Sequence, residues 1–214
     1  MPLVLPRLYV ILDAALAAIP VTELAEELLG AGARLFQYRD KVGSGGDILR
    51  NSRRLADQLI PRGATFLVND RPDVAFLAGA SGVHLGQDDV SAEDARAVIG
   101  PSQLVGISTH NREQFELALK TSADYLAVGP IFATGSKRSP DPVVGTALLK
   151  ELRPLTERPI VAIGGITLER AGEAMEAGAD SVAVISDILT APDPAERVQR
   201  FLRVLEGPRS RVAN

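Results

Sequence analysis

The 214-residue chain carries a formal net charge of −4, with 46% apolar and 23% charged residues. That balance describes a globular protein with one substantial core, and the acidic sign argues against the broad basic face that nucleic acid needs. The chain has no cysteine, which excludes disulfides, thiolate metal ligands and cysteine nucleophiles and fits a cytoplasmic setting. Aromatic residues make up only 4%, so Leu, Val, Ile and Ala must build the core. Met1 to Val10 contains Pro2 and Pro6 without a long apolar stretch, and every later apolar run breaks at Gly, Asp or Pro before membrane-spanning length. A cytoplasmic protein acting without nucleic acid or membrane is expected.

Short runs rich in Val, Ile and Leu recur along the chain. They are Arg7–Asp13, Arg34–Arg39, Thr65–Asp70, Gly82–Gly86, Leu104–His110, Tyr125–Pro130, Pro159–Gly165 and Ser181–Ser186. Several are apolar on both faces, as strands covered on both sides must be. Helix spacing fills the gaps. Leu24, Ala25, Leu28 and Leu29 form one stripe, Ile48, Leu55 and Leu59 another, and Val198, Phe201, Leu202 and Leu205 the last. Thr22, Ser91 and Thr167 suit helix starts. Gly30-Ala-Gly-Ala, Ala78-Gly-Ala and Ala177-Gly-Ala stand before strands, where a helix must end. The repeat of about 20–30 residues is the strand–helix unit itself. Eight such units without a linker predict an α/β protein, a (β/α)8 TIM barrel, with residues 1–206 as one domain and 207–214 as a C-terminal tail. A doubly wound open sheet is the alternative.

Barrels of this kind carry their chemistry at the C-terminal strand ends, and here those ends are polar. Gln37, Arg39 and Lys41 alternate, so an extended strand end points them one way. Two cations and an amide suit a phosphate or diphosphate, although a solvated strand end would also carry such residues. Asp70 ends the next run and Asp89 (or Asp88) the one after, so two carboxylates could share one Mg²⁺; an Asp at a helix start serves equally as a cap. Asn69 could donate to the anion. The longest break, Ile131 to Val144, carries hydroxyls, Gly135 and Lys137-Arg138, and reads as a lid stiffened by Pro140 and Pro142. Gly164-Gly165 and Ile185-Ser186 end the last two runs and fit a monophosphate held by backbone N–H groups, or glycines kept for tight packing. His84 and His110 read as structural.

Seven stretches together resemble the thiamine phosphate synthase family: Gln37-Tyr-Arg-Asp-Lys41, Asn69-Asp70, Gly82-Val-His-Leu-Gly-Gln-Asp-Asp89, Gly106-Ile-Ser-Thr-His110, Gly129-Pro-Ile-Phe-Ala-Thr-Gly-Ser-Lys137, Ile163-Gly-Gly-Ile166 and Val184-Ile-Ser186. They stand in order, each at a strand end. The resemblance implies a transferase of thiamine biosynthesis that joins an aminopyrimidine methyl diphosphate to a thiazole phosphate and releases pyrophosphate, with Mg²⁺. By position it implies that Gln37, Tyr38, Arg39, Asp40, Lys41, Asn69, Ser108 and Lys137 contact the pyrimidine diphosphate. Among these, Arg39, Lys41, Ser108 and Lys137 would be catalytic. Asp70 and Asp89 would ligate the metal, and Thr134, Gly135, Ser136, Gly165, Ile185 and Ser186 would hold the thiazole phosphate. The departures are small: Tyr38 and Asp40 replace an aliphatic residue and Glu, Asp88 replaces Glu, and Gly135-Ser136 varies the loop. A thiazole tautomerase, or a non-catalytic binder of thiamine precursors, is the competing reading. The sequence leaves the oligomeric state open.

Overall fold

The structure, a computed structural model, describes residues 3–134 and 142–206. Eight parallel strands close into a barrel in sequence order: β1 Leu8–Asp13, β2 Leu35–Arg39, β3 Thr65–Asn69, β4 Gly82–Leu85, β5 Leu104–Thr109, β6 Tyr125–Val128, β7 Ile160–Ile163 and β8 Ser181–Val184. β8 pairs with β1 to shut the ring, through Leu8↔Val182 to Val10↔Val184. The eight runs read from the sequence are these strands, each trimmed by one to three residues in all. The open-sheet alternative is excluded by the closure.

Helices α1 Val21–Gly30, α2 Gly45–Leu59, α3 Pro72–Ala78, α4 Ala92–Ile99, α5 Arg112–Ala118, α6 Gly145–Leu152, α7 Leu168–Glu176, α8 Ser186–Leu189 and α9 Pro194–Leu205 cover the outside. Their apolar stripes are buried as the spacing requires. Leu24, Ala25, Leu28 and Leu29 of α1 and Ile48, Leu55 and Leu59 of α2 all lie in one core cluster with the outward residues of the strands. On α9, Val198, Phe201 and Leu205 are buried, while Leu202 is packed but half-exposed. Truncating Phe201 to Ala would cost about 3–5 kcal/mol through the cavity it leaves. No helix among the described residues is long and apolar enough to cross a membrane.

Capping follows the sequence in part. Ser91 accepts a hydrogen bond from the Asp94 N–H at 3.0 Å and starts α4. Thr167 occupies the cap position of α7 without a side-chain bond to the helix N–H groups. Thr22 does not cap. It sits inside α1, whose flanking residue is Pro20, because the fixed proline φ already sets the entry to the helix. Ser44, Asn111 and Asp193 are caps that sequence reading passed over.

Inside the ring, the register fixes which residues face the axis. Ile11↔Gln37↔Leu67↔Gly82 and Gly106↔Tyr125 lie on one side of the pleat, as do Ser108↔Ala127↔Val161 and Asn69↔His84. Tyr9, Ile11, Leu35, Leu67, Tyr125, Ala127, Val161 and Ala183 fill the interior as a second core. The polar inward residues Asp13, Gln37, Arg39, Asn69, His84 and Ser108 therefore crowd toward one end, the C-terminal ends of β1 to β5.

Candidate active site

The mouth of the barrel is assembled from strand ends. On β2, alternation brings Gln37 and Arg39 inward, as the sequence predicts, and leaves Tyr38 outward. Tyr38 packs in the outer core, accepts from Asn51 Nδ2 of α2 at 3.1 Å and donates to Asp40 Oδ2 at 3.0 Å. Burial pushes its phenol up to about 12. Asp40 accepts from the N–H groups of Val42 and Gly43 at 3.0 and 2.7 Å, which ties the turn after β2. Tyr38 and Asp40 thus hold the turn that carries Lys41.

Arg39 donates to Asp13 Oδ2 on the neighbouring strand end, directly opposite it in register. Asp13 is 4% exposed, and its other oxygen accepts from the Ala15 N–H at 3.0 Å. Sequence reading missed Asp13. The only signal was an acidic residue closing an otherwise apolar run, which is also how an ordinary loop begins.

Lys41 pairs with Asp70 Oδ2. Asp70 holds φ 62, the single left-handed non-glycine residue among those described, so the chain turns sharply as it leaves β3 and presents the carboxylate. Asp89 accepts from the Gly86 N–H at 2.7 Å. Desolvation raises its carboxyl above the ordinary range; the Gly86 bond opposes this, and the facing Asp70 carboxylate adds to the rise. Asp88 is exposed. Of the two acids that the sequence leaves open, Asp89 is the one set against Asp70.

A buried polar chain runs beneath these charges. Gln37 Nε2 donates to the Tyr9 hydroxyl at 2.8 Å, and Tyr9 meets the Tyr125 hydroxyl at 3.1 Å. Tyr125 reaches His84 Nδ1 at 2.8 Å, and His84 Nε2 meets Ser108 Oγ at 2.9 Å. The His84 ring stacks on Tyr125, centroids 5.6 Å apart. Burial raises both phenols well above their ordinary value, so they stay protonated. Gly106 is required here, since a Cβ at that position would run into the Tyr125 ring. His84 and Ser108 are hydrogen-bonded as in a hydrolase, yet Nδ1 meets a phenol where a triad needs a carboxylate.

On the far side of the mouth, β7 and β8 pair up to Ile163↔Ala183, and Gly164-Gly165 and Ile185-Ser186 follow side by side. Gly165 adopts φ 62, and a Cβ there would strike the backbone of Phe132 and Ala133. Ser186 opens α8 and is exposed. The long loop is pinned at its neck: Ile131 and Phe132 donate to Ile163 and Gly164 carbonyls at 2.9 and 3.0 Å, and Val144 donates to Pro130 at 2.9 Å. The predicted lid beginning at Ile131 is corrected accordingly, because Ile131 is fully buried core. Thr134 stands beyond that neck; Gly135, Ser136 and Lys137 lie outside the described residues. His110 is structural, its Nδ1 2.6 Å from the Gly129 carbonyl.

A closed (β/α)8 barrel with cations, paired acids and bared glycines at one mouth defines a phosphate-handling barrel enzyme. Residues 8–188 match the family described as thiamine monophosphate synthase. The thiamine-phosphate synthase of Koribacter versatilis is 52% identical over 208 residues, covering 94% of this chain and 96% of that protein. That of Chlorobium phaeovibrioides is 44% identical, covering 94% and 95%. The solved thiamine phosphate pyrophosphorylase of Pyrococcus furiosus superposes with a TM-score of 0.85 at 32% identity, covering 94% and 95% of the two chains. The chain belongs to the thiamine monophosphate synthase family and is a transferase of thiamine biosynthesis.

Proposed function

We propose that this mouth condenses 4-amino-2-methyl-5-pyrimidinylmethyl diphosphate with the thiazole phosphate 4-methyl-5-(2-phosphoethyl)thiazole, giving thiamine phosphate and pyrophosphate. The observation that carries the reading is the convergence of Arg39, Lys41 and the Asp70–Asp89 pair on adjacent strand ends. A departing diphosphate needs such a set, and a single phosphate does not.

The donor set fits Mg²⁺. Two facing carboxylates, one with its charged form disfavoured first by desolvation and further by the other, are what a divalent cation relieves, and Mg²⁺ takes one or two carboxylates with water and phosphate oxygens. Asp70 and Asp89 would hold the ion, and when bound it would neutralise charge on the diphosphate.

The rest falls to the protein. Lys41 exchanges Asp70 for a diphosphate oxygen, and Arg39, oriented by Asp13, donates to the same group. Asn69 and Ser108 face the pyrimidine diphosphate from β3 and β5, and Gln37 from β2. The C–O bond breaks with its electron pair leaving on pyrophosphate; the thiazole nitrogen lone pair then forms the C–N bond. No protein nucleophile is needed. Gly165, Ile185 and Ser186, with Thr134, Gly135 and Ser136, hold the thiazole phosphate, and Lys137 adds a cation. The residues align the two rings and exclude water, which supplies most of the advantage over solution.

The test incubates pure protein with both substrates and Mg²⁺. Thiamine phosphate and pyrophosphate should appear in equal amounts. Binding without turnover, or thiazole isomerisation alone, would overturn the reading.

A further inference from the structure

Beneath the mouth lies a run of five side chains from five different strands, Gln37, Tyr9, Tyr125, His84 and Ser108, joined at 2.8, 3.1, 2.8 and 2.9 Å. Gln37, Tyr9, Tyr125 and His84 are 2, 1, 0 and 6% exposed. Only Gln37 and Ser108 stand at the ends, on opposite sides of the pyrimidine end of the mouth.

One direction of bonding gives every proton in the run an acceptor. In that direction the Gln37 carboxamide nitrogen donates to the Tyr9 oxygen, and the Tyr9 proton goes on to Tyr125. Tyr125, having accepted, gives its proton to His84 Nδ1. A neutral imidazole that accepts at Nδ1 carries its proton on Nε2, and that N–H donates to Ser108 Oγ. The one proton of Ser108 is then left for the mouth.

We infer that Tyr9, Tyr125 and His84 are positioning residues that hold His84 as the Nε2–H tautomer and so make Ser108 a hydrogen-bond donor toward an acceptor atom of the pyrimidine diphosphate. The inference rests on the proposed function for what Ser108 meets. It departs from that reading in giving His84 a role in the reaction, through Ser108. All dipoles of the run then point the same way, with their positive ends toward Ser108, and aligned bonds polarise one another by about 10–30% each. The donor therefore strengthens as negative charge develops on the leaving diphosphate. Gly106 is part of the device, since only its missing Cβ lets Tyr125 cross the barrel to reach His84.

The chain has two histidines, so proton–nitrogen spectra of protein labelled at histidine nitrogen contain two imidazoles, and the signal lost in His84→Gln assigns His84. The wild-type protein without substrate should show His84 with Nε2 protonated and Nδ1 bare. Tyr125→Phe should weaken that preference. In kinetics, His84→Leu should lower kcat/KM for the pyrimidine diphosphate by about tenfold or more, while the KM for thiazole phosphate stays within about twofold. His84→Gln, whose amide N–H can stand where Nε2–H stood, should recover most of the loss. A protonated Nδ1 in the wild type would overturn the inference, and so would a Gln variant no better than Leu. The tautomer is read without substrate, so a protein with protonated Nε2 that makes no thiamine phosphate would sink the proposed reaction and leave the hydrogen-bond direction standing.

Discussion

Asp13 and Arg39 face one another across the last paired position of β1 and β2, and the guanidinium donates to the Asp13 carboxylate. A second bond, from the Ala15 N–H, stops that carboxylate from turning away. The arginine is therefore aimed before any substrate arrives, which removes an ordering cost from binding.

Asp13→Ala should free the guanidinium and leave a half-buried charge without its partner. We expect a loss of about 1–3 kcal/mol in stability and a fall of about tenfold or more in kcat/KM for the pyrimidine diphosphate. Thermal unfolding and steady-state kinetics measure the two. A wild-type rate in Asp13→Ala would show that Arg39 needs no aiming.

Divalent cation should be obligatory. EDTA should abolish turnover and Mg²⁺ restore it, and Asp70→Ala should lower kcat by about a hundredfold or more with an unchanged circular dichroism spectrum. Activity that survives chelation would remove the metal from the proposed site.

The two ends of the mouth should separate by mutation. Arg39→Ala should raise the KM for the pyrimidine diphosphate and slow bond cleavage. Ser186→Ala should raise the KM for thiazole phosphate by only a few fold, since backbone donors near Gly165 share that phosphate. Initial rates with each substrate varied in turn decide it, and two variants that affect the same substrate would refute a two-ended site.

Acid should loosen the turn after β2. Desolvation pushes the Asp40 carboxyl up, but the Gly43 and Val42 N–H groups and the Tyr38 hydroxyl outweigh it and hold it below the ordinary value. A depressed folded-state value means the carboxylate stabilises the fold above the ordinary carboxylate range and loses that contribution as pH falls through the depressed value. Hydrogen exchange at Val42 and Gly43, corrected for its intrinsic pH dependence, should therefore show protection at neutral pH and lose it in acid. Asp40→Asn should show the weaker protection at every pH.

Most of the barrel was legible because its strands are buried on both faces and their ends are polar. Arg39 and Gln37 could be picked out by alternation alone. The bonds that Tyr38 and Asp40 make to Asn51 and the loop backbone were not legible, because a family position says nothing about a replacement's own partners. Asp13 escaped for a different reason: its meaning lies in a partner 26 residues away. The Tyr9–Tyr125 contact spans 116 residues and joins two side chains that read singly as ordinary aromatic core. Spacing shows what a segment does locally, while pairing across a barrel depends on the shear that closes it.

The seam where β8 meets β1 begins at the foot of the barrel. Val182 donates to the Arg7 carbonyl at 2.8 Å, and the Arg7 side chain donates to the Leu205 carbonyl at 2.5 Å, so the first strand and the last helix are stitched to each other. From Leu3 to Glu206 the described residues form in effect a ring with one gap, and Arg7 and Leu205 beside that gap lie on the face away from the chemistry. A short bridge from Glu206 to Leu3, with a new opening in a surface turn such as the one at Gly63, should yield a permuted chain with the same eight-stranded mouth.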